Sequence, residues 1–201
     1  MNATGLAQAF ANKYLAVLID LHVITKELPV IEEKPYKSKK GLYRITDEFF
    51  QFWFKYIFTR RADLELGNVS NVVGDIHNDW PQNLSLTFEK VIIEILRKSS
   101  DRFFPFSAIG RWWEKNEEID AIALNKDLNA ILFAEAKWSE KRVGEDILDA
   151  LLQKAALIQW GNKGRKEFYC LFSKSRFTPA LQKRAANGNI YLFEQDRLLK
   201  N

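Results

Sequence analysis

Residues 118–138, EIDAIALNKDLNAILFAEAKW, restrict the fold more than any other stretch of the chain. Two short apolar runs flank a polar turn, the pattern of a β-hairpin with buried strands. Three charged residues, Asp120, Glu135 and Lys137, interrupt the runs. A charge in such a place is costly unless it is paired or binds a metal. The four residues KDLN make a common hairpin loop if Asn125 lies opposite Ala130. Leu124 then faces Ile131, Ile122 faces Phe133, and Asp120 faces Glu135. Because strand side chains alternate, Asp120, Glu135 and Lys137 are expected on one face, at the open end of the ribbon. Carboxylates about 5 Å apart across a ladder repel. A divalent cation between them removes the conflict, and magnesium suits such a site because it takes carboxylate oxygens and keeps several waters. A plain ion pair of Lys137 with Glu135 or Asp120 at a sheet edge satisfies the same pattern without a metal.

Around the hairpin the chain reads as alternating elements. Residues 4–21 place Leu6, Phe10, Tyr14, Val17, Leu18 and Leu21 at helical spacing. A strand over 23–30, a basic tip KPYKSKKG and a strand over 42–45 follow, then an aromatic helix, TDEFFQFWFKYIF, capped by Thr46 or Asp47. Residues 67–83 have weak periodicity and many turn formers, and read as a linker with some helix. Residues 84–100 predict a helix with Leu86, Val91, Ile92, Ile95 and Leu96 inward. FSAIGRWW reads as a strand. Beyond the hairpin come a helix over 143–160, a strand over 167–173, a helix over 178–186 and a strand over 189–194. The order α-β-β-β-α-β-α-β predicts an α/β fold, a mixed sheet flanked by helices.

Composition removes several classes. At 47% hydrophobic and 13% aromatic, the 201 residues can bury a core and do not read as disordered. No apolar run approaches the roughly 20 residues of a membrane span, and the N-terminus lacks a signal-peptide pattern. The single Cys170 excludes an internal disulfide, and with two histidines far apart it makes no usual zinc site. A cytoplasmic protein without a membrane partner is expected. Lys and Arg exceed Asp and Glu by 10 to 3 in residues 151–201, whereas residues 71–150 are acidic, 10 to 15. A basic surface beside an acidic pocket suits a polyanion held near a metal; an ordinary solvated surface gives the same counts.

Asp120 followed by Glu135-Ala136-Lys137 on the next strand resembles the PD-(D/E)XK nuclease core, which also runs α-β-β-β-α-β. Ile119 stands where that motif has proline. FEKVIIEIL, GRWWEKNEEIDAIAL and ILFAEAKWS, in this order, resemble the C-terminal domain of the archaeal DEXX-box ATPases, in which an ATPase domain and a winged helix precede a nuclease-like domain. Helix, hairpin and helix in the first 60 residues resemble the back half of a winged helix. The resemblance implies a partial winged helix over 1–66, a linker over 67–83 and a nuclease-like domain over 84–201. No G-x-x-x-x-G-K-[ST] occurs, so ATP hydrolysis is not expected of this chain.

The resemblance also implies roles. Glu89 occupies the place where the first helix of the core supplies an acidic residue. Asp120, Glu135 and Glu89 would hold Mg2+ or Mn2+, and Lys137 would orient a water or stabilise charge on a phosphate. Lys37, Lys39 and Lys40 at the wing tip would contact DNA phosphates. Glu118, two residues before Asp120, is left outside the site. Gln153, on the following helix, reads as solvated; Trp112 and Trp113 read as one core and one surface residue; His22 and His77 have no evident partners. Two functions stay open: a metal-dependent DNA endonuclease, or a catalytically inactive DNA-binding or protein-interaction module. A homodimer, or association with a separate ATPase domain, is the expected cover for the apolar N-terminal faces.

Overall fold

In the computed structural model, which describes residues 7–186 and 188–199, the first apolar period forms helix α1 (Gln8–Asp20); Leu6 lies outside the described residues. The helix ends in a Schellman arrangement. His22 adopts a left-handed φ of 57°, its N–H reaches the Ile19 carbonyl, and the Val23 N–H reaches that of Leu18. Strands β1 (Ile24–Glu27) and β2 (Leu42–Ile45) pair antiparallel, Ile24 opposite Ile45. Helix α2 (Glu48–Phe52) is capped by Asp47, whose side chain accepts from the Phe50 N–H at 3.0 Å. A π-helical turn over Trp53–Ile57 and a 3-10 turn over Phe58–Arg60 lead into α3 (Arg61–Glu65). This first unit takes the chain through Leu28 together with Lys34–Asp79. Tyr56 and Val72 are buried in it, while Phe49, Trp53, Phe54 and Phe58 stay exposed.

The second unit comprises Pro29–Glu33 and the chain from Trp80 onward. From Trp80 on, helix α4 (Val69–Lys98) supplies its first helix; the helix takes in residues 69–83 of the stretch expected as a linker, with Pro81 inside it. The expected strand over 23–30 stops at Glu27. Beyond Pro29, the Val30 N–H donates to the Arg111 carbonyl at 2.9 Å, so this short segment lines the sheet of the second unit instead.

That sheet has six strands in the order β3-β4-β5-β6-β7-β8: β3 (Ala108–Glu114), β4 (Glu117–Asn125), β5 (Ala130–Lys137), β6 (Lys166–Ser173), β7 (Ile190–Glu194) and β8 (Arg197–Leu198). β5, β6 and β7 are parallel and the other neighbours antiparallel, so the sheet is mixed, as expected. Helices α5 (Glu145–Ala156) and α6 (Pro179–Ala185) make the two parallel crossovers. Both pack on one face, against Ile122, Leu124, Ile131 and Phe133. Crossovers of one hand on one face move the strand order in one direction, which is the order β5-β6-β7 found here.

The other face carries Ala121, Ala123, Ala130, Ala134 and Ala136, and receives Phe88, Ile92 and Leu96 of α4. Small strand residues give the helix's large side chains room to sit against the sheet. Of the five α4 residues expected inward, Ile92 and Leu96 are fully buried and Ile95 partly so, but Leu86 and Val91 are exposed. The stripe Phe88-Ile92-Leu96, each four residues from the last, takes the sheet-facing side, and Leu86 and Val91 lie outside it.

Candidate functional site

The hairpin has the register that its loop length predicts: Asn125 opposite Ala130, Leu124 opposite Ile131, Ile122 opposite Phe133. The paired ladder ends at Ala121 opposite Ala134. One step further on, a side chain replaces the backbone partner. The Asp120 carboxylate accepts, at Oδ2, the backbone N–H of Ala136 at 2.8 Å.

A bulge accompanies this break. On the other edge of β4, Gly110 pairs with Ile122 and Trp112 with Ile119, so Arg111 faces two residues, Asp120 and Ala121. Ile119 and Ile122, three positions apart, consequently pack into the same core cluster, which strict alternation forbids. Bulges re-aim side chains and are common beside active sites. The expectation that Asp120 shares a face with Ile122 and Leu124 by simple alternation therefore does not carry across this point, although Asp120 still arrives at the open end of the hairpin.

Glu135 is buried on β5, 7% exposed. Its Oε1 accepts from Lys137 Nζ at 2.8 Å. Lys154 Nζ, from α5, spans both oxygens, at 3.3 Å from Oε1 and 3.1 Å from Oε2. Glu89, on α4 beside the buried stripe, faces Arg111 at 3.4 Å, and Arg111 also reaches Glu118 at 3.3 Å.

Burial raises the Asp120 carboxyl from its ordinary 3.8 to about 7, helped by the charges of Glu135 and Glu89 and opposed by the Ala136 N–H and Lys137. Burial works to lower the Lys137 ammonium, yet Glu135, Asp120 and Glu89 together raise it above its ordinary value. The four side chains singled out in the sequence, Asp120, Glu135, Lys137 and Glu89, thus act on one another in one place. Asp120, Glu135 and Glu89 are matched by Lys137, Lys154 and Arg111.

The other sequence candidates fall elsewhere. Lys37, Lys39 and Lys40 are exposed residues of the first unit. Glu118 is exposed and engages only the rim through Arg111. Gln153 is exposed, as expected; its neighbour Lys154 is the α5 residue that reaches the carboxylates. Trp112 is core and Trp113 half-buried, and Cys170 is buried. Sequence reasoning missed Lys154 and Arg111. The signal for Lys154 was present: Leu148, Leu151 and Ala155 form the buried stripe of α5, and position 154, three after Leu151, lies on its flank. The signal for Arg111 required knowing the bulge.

Asp120 and Glu135 offer the hard oxygen donors that magnesium takes, and magnesium is often held by one or two carboxylates with water filling the remaining positions. Among the described residues no three His, Cys, Asp or Glu side chains are grouped to hold a metal. A divalent ion here would accordingly rest on Asp120 and Glu135, with Glu89 contributing charge at longer range.

Among the described residues no helix is long and apolar enough to cross a membrane. A family model, DUF234, described as archaeal and bacterial proteins of unknown function, matches residues 53–147. The match takes in Glu89, Arg111, Asp120, Glu135 and Lys137 and stops before Lys154. An uncharacterized protein of Methanocaldococcus jannaschii is 36% identical over 178 residues, which are 86% of this chain and 39% of that protein. The chain thus spans about two fifths of that relative's length. No solved structure gives a significant match.

Proposed function

We propose that the second unit is a metal-dependent, nuclease-like domain of the PD-(D/E)XK type acting on DNA phosphodiesters. The observation that carries this reading is the convergence of two buried carboxylates, Asp120 and Glu135, with the Lys137 ammonium where β4 and β5 stop pairing. Asp120 and Glu135 would hold Mg2+ or Mn2+. When bound, such an ion supplies charge to a phosphate and acidifies a water. Lys137, kept cationic by its neighbours and 37% exposed, would donate to a phosphate oxygen or orient the attacking water. Glu89 holds Arg111 at the rim. The first unit, with its helix, hairpin and helix, would act as a winged-helix remnant presenting Lys37, Lys39 and Lys40 to the DNA backbone. Its exposed aromatic face would be covered by a second copy or by a separate ATPase domain.

One observation favours a second reading. Lys137 and Lys154 already pair with Glu135, and Arg111 with Glu89, so two of the three carboxylates have cationic partners without a metal. A catalytically inactive DNA-binding or protein-interaction module would look the same. Incubation of supercoiled plasmid and single-stranded DNA with Mg2+ or Mn2+ separates the two. The nuclease reading expects cleavage by the wild type and a loss of at least about a hundredfold in Lys137→Ala, the scale of removing one electrostatic stabiliser. No cleavage by folded wild type with either metal favours the binding module.

A further inference from the structure

Lys154 is the cation in this site that the hairpin motif does not supply. It projects from α5 onto the bulky face of the sheet, and its side chain is 20% exposed against 37% for Lys137. The two lysines grip Glu135 differently. Lys137 takes Oε1 alone, whereas Lys154 lies across both oxygens. A divalent ion that used Glu135 would need the same lone pairs. Two cations on one side of a carboxylate repel, so the ion and the Lys154 ammonium cannot both hold that place. A lysine can withdraw at little cost, because its charge sits on a flexible four-carbon stem.

We infer that Lys154 is an internal counter-cation that occupies Glu135 in the metal-free protein and competes with a divalent ion for its two oxygens. Lys154 is a positioning residue: it fixes the Glu135 carboxylate in its buried place and sets the metal concentration at which the site fills. The inference rests on the metal-site reading above, and its test reads binding and stability rather than cleavage.

The full chain is titrated with Mn2+ by calorimetry, and its melting temperature is measured in chelator and in saturating Mn2+. Lys154→Gln removes the competitor. It should bind Mn2+ about three- to tenfold more tightly than wild type, the range for losing one charge-assisted contact. In chelator it should melt below wild type, since Glu135 loses a partner, and that gap should close when Mn2+ is saturating. A merely structural lysine would leave the gap unchanged by metal. Lys154→Arg keeps the charge and should bind within about twofold of wild type. Lys154→Met, which keeps most of the stem and removes the charge, provides the same reading should the glutamine variant fail to fold. Wild-type binding as tight as, or tighter than, that of both neutral variants overturns the inference and leaves the metal reading intact. Absence of saturable binding in wild type and variants alike overturns both. Binding by the neutral variants alone supports the competitor role in its strongest form.

Discussion

The Asp120 carboxyl gives the sharpest test of the site. It titrates near pH 7 in the folded protein and near 3.8 when unconstrained. A folded-state value above the unfolded one means that the native protein holds this proton more tightly. The contribution to stability is fully present below pH 3.8 and is lost as pH rises through about 7. The whole shift corresponds to about 4 kcal/mol, and the part lost between pH 5 and pH 8 to about 2.5 kcal/mol. For a domain of this size that is roughly 5–10 °C in melting temperature. Asp120→Asn cannot ionise, and its amide oxygen can still accept the Ala136 N–H. Unfolding of wild type and Asp120→Asn by urea, at pH 5 and pH 8 in chelator, isolates the effect, because every group outside the site titrates alike in both. The variant should match wild type within about 1 kcal/mol at pH 5 and exceed it by about 2 kcal/mol or more at pH 8. Saturating Mg2+ at pH 8 should then reverse the order, since only the wild type keeps both carboxylates. Parallel pH dependences in the two proteins would refute the buried, crowded Asp120 on which the site is built.

Three further outcomes test the frame that holds the site. Arg165 donates to the carbonyls of Ala155, Ile158 and Trp160 at the end of α5; Arg165→Ala should cost about 2–4 kcal/mol in urea unfolding by stranding those acceptors. Phe172 is fully buried and stacked on Phe193 at 4.4 Å between centroids; Phe172→Ala should cost about 3–5 kcal/mol in the same assay. His22 ends α1 with a φ of 57°; His22→Gly should raise the stability of the first unit by about 0.5–1 kcal/mol, and a loss would mean that the imidazole itself contributes.

What the sequence made legible follows from how local the determining physics is. The hairpin register came from a four-residue loop and two apolar runs, and it is the register found. The mixed sheet followed from the order of its segments. The Asp47 cap needed only one side chain before an aromatic run. The failures are places where a tertiary choice overrides a local one. Residues 67–83, read as a linker with some helix, are helical from Val69 onward as part of α4; the extent was not legible because Pro81 alone costs about 3 kcal/mol in a helix interior, a cost that burial of Phe88, Ile92 and Leu96 further along helps to offset. Leu86 and Val91 were read as inward because α4 has more apolar residues than one face can hold. Lys154 was overlooked because a lysine on a helix normally marks the solvent side, and only the position of Glu135 on the facing strand gives it a reason to turn inward.

The bulge at Asp120 is the one irregularity from which the rest of the site follows. A regular continuation of the ladder would pair the backbones of β4 and β5 past Ala121 and close the space between them. Instead β5 continues its pairing with β6, Glu135 opposite Leu171 and Lys137 opposite Ser173, while the named β4 pairs stop. The Ala136 N–H would be left bare by that parting, and a bare buried donor is costly; Asp120 Oδ2 takes it. One oxygen of a carboxylate is thereby fixed by the backbone, at the mouth of two diverging strands and beside a second buried carboxylate. Such an oxygen pair has two ways to lose its excess charge: a proton, which the shift to about 7 records, or a cation. Under the proposed metal reading, a cation gains the advantage as pH rises through that value. The strand break thus places a buried acid beside a second carboxylate, the arrangement on which the proposed metal site rests.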